Sequence, residues 1–369
     1  MTNSFNRRDF LQGAASTAGV CLLGALRAWP LQNDNLGSLP QNLPQWMRQN
    51  HVPGVAVAIV RNAEPDWLRG FGMKNAEKQE PADENTVFEA ASLSKPVFAY
   101  ALLTLVAEGK FDLDRPLTSY LQQPFRSRVP RLMVSSVPDD PRLKRITPRI
   151  VLSHSTGFPN WGRGKPLKLE FDPGSKFGYS GEGYVYLQNV VEHVTGEPLD
   201  VFARERVFAP LEMAGSNFIW RQDYEQRAAI GYDIRGARPK DKPRQAIAAA
   251  TLHTTATDFA KFLGAILTPK RGTGLNDEWL KRMLTPTTKI DDSLAWGLGW
   301  GLEPSPASTN FWQWGDNGEF KAFAMGCRET KQAVAIFTNG ANGLRVCRSV
   351  VEAVLPGKHP ALSFGMLSY

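Results

Sequence analysis

The chain has 369 residues, 42% of them hydrophobic and 21% charged, with 43 Lys and Arg against 36 Asp and Glu for a net charge of +7. This composition excludes the disordered, collagen-like and disulfide-scaffold classes, and the length allows a large domain or two lobes around a sizeable core. The basic residues are scattered except in RSRVPRL and RGARPKDKPR. Proline and glycine mark both stretches as exposed loops, and no basic face or reading motif points to nucleic acid.

In chain order, the first element is expected to lie outside the fold. NRRDFLQGAASTAGVCLLGALRA sets Arg7-Arg8 and Phe10-Leu11 ahead of an apolar run from Gly13 to Leu26. The run is shorter than the ~20 residues a membrane span needs, and the segment resembles a bacterial twin-arginine export signal. Residues 1–29 are therefore expected to be an address, with Ala28 the best cleavage point. A membrane association follows only if the signal stays uncleaved. Val20 before Cys21 does not suit lipidation. Losing Arg7, Arg8, Arg27 and Asp9 takes the charge from +7 to +5 and leaves Cys327 and Cys347 as the cysteines. Their spacing suits no zinc site, and they read as two buried thiols rather than a scaffold, although export would permit pairing.

GVAVAIVRN (54–62) and DWLRGFGMKNA (66–76) read as paired strands at hairpin distance. Lys95 to Gly109 predicts a helix closed by glycine, and from about 110 to 285 helical pieces such as GYVYLQNVVEHVTG and TDFAKFLGAIL alternate with loops. WGLGWGL (296–302), FKAFAMGC (320–327) and QAVAIFTNG (332–340) then read as consecutive antiparallel strands, and GLRVCRSVVEAVL (343–355) as a closing helix. Strands at both ends of the chain predict an α+β protein whose antiparallel sheet is completed by both ends and carries an inserted, mostly helical lobe. The expected boundaries are 38–356 for the domain, with the helical lobe at about 90–285, the sheet lobe at about 45–89 plus 286–356, and a tail at 357–369.

EAASLSKPVFAYALL (89–103) has Ser92 and Lys95 three residues apart, close enough on a helix to touch. A serine at a helix start is ordinarily a cap. It becomes a nucleophile if a base removes its proton, and a lysine serves as that base when burial lowers its pKa. The spacing alone leaves both roles open.

Two further segments bear on the choice. FDPGSKFGYSGEGYVYL (171–187) has a Pro-Gly turn ahead of Tyr179, and FWQWGDNGEF (311–320) contains Gln313-Trp314-Gly315. With the Ser-x-x-Lys helix, and in this order, they resemble the motifs of the serine β-lactamase and penicillin-binding superfamily, on its class C β-lactamase and esterase side. The resemblance covers roughly residues 40 to 356 and implies the β-lactamase/transpeptidase-like fold. It implies that Ser92 is acylated, that Lys95 is its base, that Tyr179 shuttles protons, and that the backbone N–H groups of Ser92 and Asp316 form the oxyanion hole. Gln313, Trp314 and Gly315 would line the substrate. No metal and no cofactor is implied.

Two departures shape the expected substrate. Gly181 stands where the family has an asparagine, with Glu182 beside it as either a substitute or a surface residue. Gln313 stands where the family has Lys or His, so the charge that would meet a substrate carboxylate is missing unless Arg345 or Arg348 supplies it. A neutral hydrogen bond is about half as strong as a charge-assisted one. The expectation is an exported hydrolase of a small ester, amide or peptide, located in the periplasm or outside the cell, with β-lactams poor substrates. The alternative is a penicillin-recognising or D-alanyl peptidase-type protein that acylates slowly or only binds. SHSTG (153–157) approaches the nucleophile elbow of other hydrolases but lacks the first glycine and a leading strand, so His154 and Ser155 read as structural. Trp161, Trp312 and Trp314 read equally as pocket wall and as core. The oligomeric state is not legible.

Overall fold

The computed structural model describes residues 34–121, 140–162, 165 and 167–367. The expected export signal at residues 1–29 and the RSRVPRL patch lie outside the described residues. Nine antiparallel strands form one sheet in the spatial order Glu80–Pro81, Glu64–Asn75, Gly54–Arg61, Gln332–Thr338, Lys321–Cys327, Thr309–Asp316, Gly301–Pro304, Ala295–Trp296 and Thr288–Lys289. The strand Gly54–Arg61 pairs directly with Gln332–Thr338, Val55 opposite Thr338 and Val60 opposite Ala333. The two ends of the sequence thus close one sheet, and the helical lobe is the chain between them.

The sequence GVAVAIVR shows why this strand is central. Alternate side chains point to opposite faces. Val55, Val57 and Ile59 share one core with Leu39 and Leu43 of the helix Asp34–Gln49 and with Val346, Cys347 and Val350 of the helix Gly343–Val354. Ala56, Ala58 and Val60 share the other core with Phe259 and Phe262 of the helix Ala256–Leu267. Both faces are covered, which is why the strand is apolar throughout. Arg345 and Arg348 fall on the exposed side of the closing helix, and Arg348 Nε bonds Glu352 Oε1 at 3.0 Å.

The helix Ser94–Ala107 is buried from Ser94 to Leu105. A helix that is apolar all round belongs in a core, and each fully buried Leu, Val or Phe contributes ~1.5–3 kcal/mol. This helix therefore fixes the residues at its start rigidly.

Two local readings change. WGLGWGL is not one strand but the turn between Ala295–Trp296 and Gly301–Pro304, with Gly297 N–H donating to the Trp300 carbonyl at 2.9 Å. Gly299 sits there at φ +100°, where a Cβ would come within 2.4 Å of Ala99 Cβ on the buried helix. The pattern looks strand-like because Trp296, Trp300 and Leu302 are all fully buried. The helix Asp34–Gln49 was not predicted: prolines at positions 40 and 44 conceal it, although it is anchored by Leu39, Leu43 and Met47.

Candidate active site

The serine is set by a strained turn. Ala91, directly before Ser92, has φ +49°, a left-handed conformation that costs an ordinary residue roughly 1–2 kcal/mol. The strand Phe88–Ala91 pairs with Leu252–Thr254 through an irregularity between Glu89 and Ala91. Ser94 Oγ holds the turn, donating to the Ala91 carbonyl at 2.5 Å and accepting from Leu252 N–H at 2.9 Å. Leu93, not Ser92, occupies the N-cap position, without a side-chain cap bond. Ser92 is thus not the cap, and its hydroxyl is directed elsewhere.

Its partner is Lys95. Lys95 Nζ lies 2.9 Å from Ser92 Oγ and 2.9 Å from the Ala249 carbonyl, with the Tyr179 ring centroid 4.8 Å away. The side chain is fully buried and has no salt bridge among the described residues. Burial without a counter-charge disfavours the ammonium and pushes its pKa from 10.5 down to about 7. That shift corresponds to roughly 5 kcal/mol against the charged form, and it makes a neutral amine available near physiological pH.

Tyr179 closes the third side. Its hydroxyl accepts from Gln313 Nε2 at 3.0 Å, and the Ser92 hydroxyl is near enough to favour the phenolate. Burial raises its pKa, outweighing both, so it is a phenol rather than a phenolate. His154, fully buried at φ +53°, packs its ring 4.1 Å from the Tyr179 ring and accepts from Ser180 N–H at Nδ1, 3.0 Å. Burial first, and the nearby Lys95 second, hold its pKa well below the ordinary value, so His154 is neutral. Ser155 is buried against the Ile150 carbonyl at 3.3 Å, as a structural loop requires. The sequence did not point to the support His154 gives Tyr179 or to the Ala249 carbonyl on Lys95. The first looked like part of a loop, and the second is backbone in an unremarkable AAA stretch.

The strand Thr309–Asp316 completes the site. Its ladder with Gly301–Pro304 ends at Trp312, while its other edge stays paired to Lys321–Cys327 as far as Asp316. Gly315 then lies against the nucleophile turn, where a Cβ would stand 2.4 Å from the Ala90 carbonyl. Asp316, the next residue, bonds Lys321 Nζ and Gly318 N–H through its carboxylate.

The structure corrects three expectations about the surroundings. Gln313 is fully buried, and its amide is directed at Tyr179 and the Trp314 carbonyl instead of an open pocket. Trp312 and Trp314 are 0% and 4% exposed, stack on each other and meet Phe364 edge to face, so both are core, although Trp314 also lies 4.6 Å from the Tyr179 ring. Glu182 is not a surface residue. It is fully buried, Oε1 accepting from Gly162 N–H at 2.7 Å and Oε2 finding no partner among the described residues, and burial raises its pKa. Gly181 has a steric reason: a Cβ there would stand 2.8 Å from the Trp161 ring, which covers the place of the family's asparagine. Cys327 and Cys347 are both free and buried, and no group of His, Cys, Asp or Glu among the described residues is arranged to hold a metal.

A sheet closed by both chain ends, a helical lobe and a Ser-Lys-Tyr cluster between them define the β-lactamase/transpeptidase-like fold. The Beta-lactamase family model matches residues 39–349, and the chain belongs to that family. It is 30% identical to Esterase EstB of Burkholderia gladioli over 217 residues, 51% of this chain and 52% of the esterase. It is 23% identical to Protein flp of Staphylococcus aureus (strain N315) over 227 residues, 57% of this chain and 43% of that protein. The chain thus spans about half the length of these curated relatives. Among solved structures, a class C beta-lactamase superposes with TM-score 0.73 at 19% identity over 89% of this chain and 97% of that one. The octameric penicillin-binding protein homologue from Pyrococcus abyssi gives 0.73 at 22% over 86% and 76%. The D-alanine carboxypeptidase AmpC from Burkholderia cenocepacia gives 0.73 at 17% over 88% and 99%.

Proposed function

We propose that the protein is an exported serine hydrolase that cleaves an uncharged ester or amide through an acyl-enzyme on Ser92. The observation that carries this reading is the 2.9 Å contact between Ser92 Oγ and the amine of a fully buried lysine whose pKa lies near 7. Neutral Lys95 takes the Ser92 proton as Oγ attacks the carbonyl carbon. The backbone N–H groups of Ser92 and Asp316 meet the oxyanion, and the phenol of Tyr179 relays the proton to the departing alcohol or amine. Water then attacks the acyl carbon, gives a proton to the Lys95–Tyr179 pair, and leaves as the carboxylic acid with Ser92 restored.

The neutral Gln313 and the occupied space over Gly181 favour substrates without a carboxylate or an acylamino group. The 30% identity to an esterase supports the same class. Export by the twin-arginine route rests on Arg7-Arg8-Asp9-Phe10-Leu11 and the apolar run behind it. It is checked by fractionating cells that carry the chain with and without the Arg7→Lys, Arg8→Lys pair.

The deciding experiment is mass spectrometry of intact protein after a fluorophosphonate probe, followed by turnover of p-nitrophenyl butyrate and nitrocefin. One probe adduct on Ser92 and faster turnover of the ester are expected. An adduct at another residue overturns the mechanism, equal rates with nitrocefin overturn the substrate preference, and a single stoichiometric burst with both indicates a binding protein instead.

A further inference from the structure

Glu89 and Asn317 are 228 residues apart in sequence, and each adjoins the catalytic cluster. Glu89 precedes Ser92 by three residues, and Asn317 directly follows Asp316. Asn317 Nδ2 donates to Glu89 Oε2 at 2.8 Å and to the Ala250 carbonyl at 3.3 Å. The neighbouring carbonyl, that of Ala249, accepts from Lys95 at 2.9 Å. A single amide therefore ties the turn after Asp316 both to the strand that delivers the serine and to the segment that holds the lysine.

Packing alone does not account for a carboxyl at position 89. Glu89 pairs across the strands with His253, and both line a small cleft with Val87, Trp220, Lys240, Asp241 and Phe320. Burial, with smaller contributions from Asp241 and Glu319, raises the Glu89 pKa to about 7 against the bond from Asn317. His253 is neutral, its Nδ1 beside the Thr251 carbonyl at 3.0 Å and its Nε2 buried without a partner among the described residues. Glu89 is half-buried and makes no salt bridge among the described residues, so part of its carboxyl is held away from water without a counter-charge. What the carboxyl supplies is an acceptor aimed at Asn317.

We infer that Glu89 and Asn317 are positioning residues that fix the distance between the two backbone N–H groups of the oxyanion hole, Ser92 and Asp316. The other side of the same turn is held by Lys321 and by Gly318 N–H on the Asp316 carboxylate, so the Glu89–Asn317 bond is the restraint that faces the nucleophile. Donors to an oxyanion act only within a few tenths of an ångström of their best position, which makes such a restraint catalytic in effect without contact with substrate. The inference rests on the acyl-enzyme reading above.

The test uses the full chain and four variants: Glu89→Ala, Glu89→Gln, Asn317→Ala and the double alanine. Turnover of p-nitrophenyl butyrate and thermal unfolding are measured for each. Glu89→Ala and Asn317→Ala are expected to lower kcat about 10- to 100-fold, the range for a misplaced reacting group, with KM within about threefold. Glu89→Gln, whose amide oxygen still accepts from Asn317, restores kcat to within about threefold, and the double variant is no worse than either single one. Unchanged kcat in the alanine variants, losses that multiply, or a Glu89→Gln variant as poor as Glu89→Ala overturns the inference. If unaltered protein shows no probe adduct on Ser92, the acyl-enzyme reading falls and takes the inference with it. An adduct on Ser92 with indifferent variants sinks the inference alone.

Discussion

Gln313 Nε2 donates to the Tyr179 hydroxyl across 3.0 Å, in a place where both side chains are buried. The bond occupies a tyrosine lone pair and leaves the phenol proton free of Gln313, with Ser92 nearby. The neutral amide also lowers the phenol pKa, but by less than burial raises it, whereas the charge of a lysine would lower it further. Gln313→Lys is therefore expected to lower the Tyr179 pKa and to offer a charge to anionic substrates. A charge-assisted bond exceeds a neutral one by ~1–1.5 kcal/mol, so kcat/KM for nitrocefin relative to p-nitrophenyl butyrate rises about tenfold. Buried without a carboxylate, the new ammonium also lowers Tm. An unchanged substrate ratio in a folded variant counts against the assigned role of Gln313.

The proposed mechanism ties the activity to the protonation of Lys95. With Lys95 as the base of the proposed mechanism and its pKa at about 7, kcat/KM should rise with pH through about 7. In the same mechanism Tyr179 is the acid, and because burial raises its pKa it gives no loss on the alkaline side below pH ~10. A profile taken from pH 5 to 10 shows one acid limb and a plateau. Lys95→Arg, permanently charged, abolishes the plateau. A rate independent of pH between 6 and 9 speaks against Lys95 as base.

The same burial makes Lys95 a liability to the fold. In the native state it loses its proton near pH 7, while in the unfolded chain it keeps it up to about 10.5. Between these values the unfolded state binds more protons, so stability rises with pH, and below pH 7 the penalty is present in full. Lys95→Met removes the titration and keeps the volume. The variant should unfold at higher temperature than the parent at pH 6, with the gap narrowing by pH 9. Calorimetry that finds the same Tm difference at both pH values refutes the burial argument.

How much of this was legible in sequence follows from the kind of interaction. Ser92, Lys95 and Tyr179 could be read because each sits beside a local signal: a helix start, a three-residue spacing, a Pro-Gly turn. The central strands could be read because Val55, Val57 and Ile59 alternate with Ala56, Ala58 and Val60 between two cores. Contacts made across the fold were not legible. Trp161 over Gly181, Gln313 against Tyr179 and the Ala249 carbonyl on Lys95 join segments that share no spacing rule. Glu182 was misread for the same reason, since a charged residue at a helix start is usually solvated and only the Gly162 N–H reveals that this one is not.

The last segment of the described chain makes a further pH-dependent contribution. Glu303 is only 6% exposed and accepts from Asn310 Nδ2 at 3.0 Å and Ala361 N–H at 3.1 Å, with His359 Nδ1 at 3.1 Å. This clasp precedes Phe364, which packs edge to face with its ring centroid 5.2 Å from that of Trp312 and 5.3 Å from that of Trp314, and Trp314 in turn lies against Tyr179. Burial pulls the His359 pKa down, but the bond and charge of Glu303 outweigh it and raise the pKa above 6.5. A raised pKa means that the stabilisation is complete below the unfolded value and is lost as pH climbs through the folded one. His359→Leu should therefore lower Tm more at pH 6 than at pH 9. Phe364→Ala, which removes a partly buried ring packed edge to face on Trp314, is expected to destabilise by ~1–2 kcal/mol and to lower kcat several-fold by loosening Tyr179. A His359→Leu deficit that stays constant between pH 6 and 9 shows that the clasp holds without the histidine's charge.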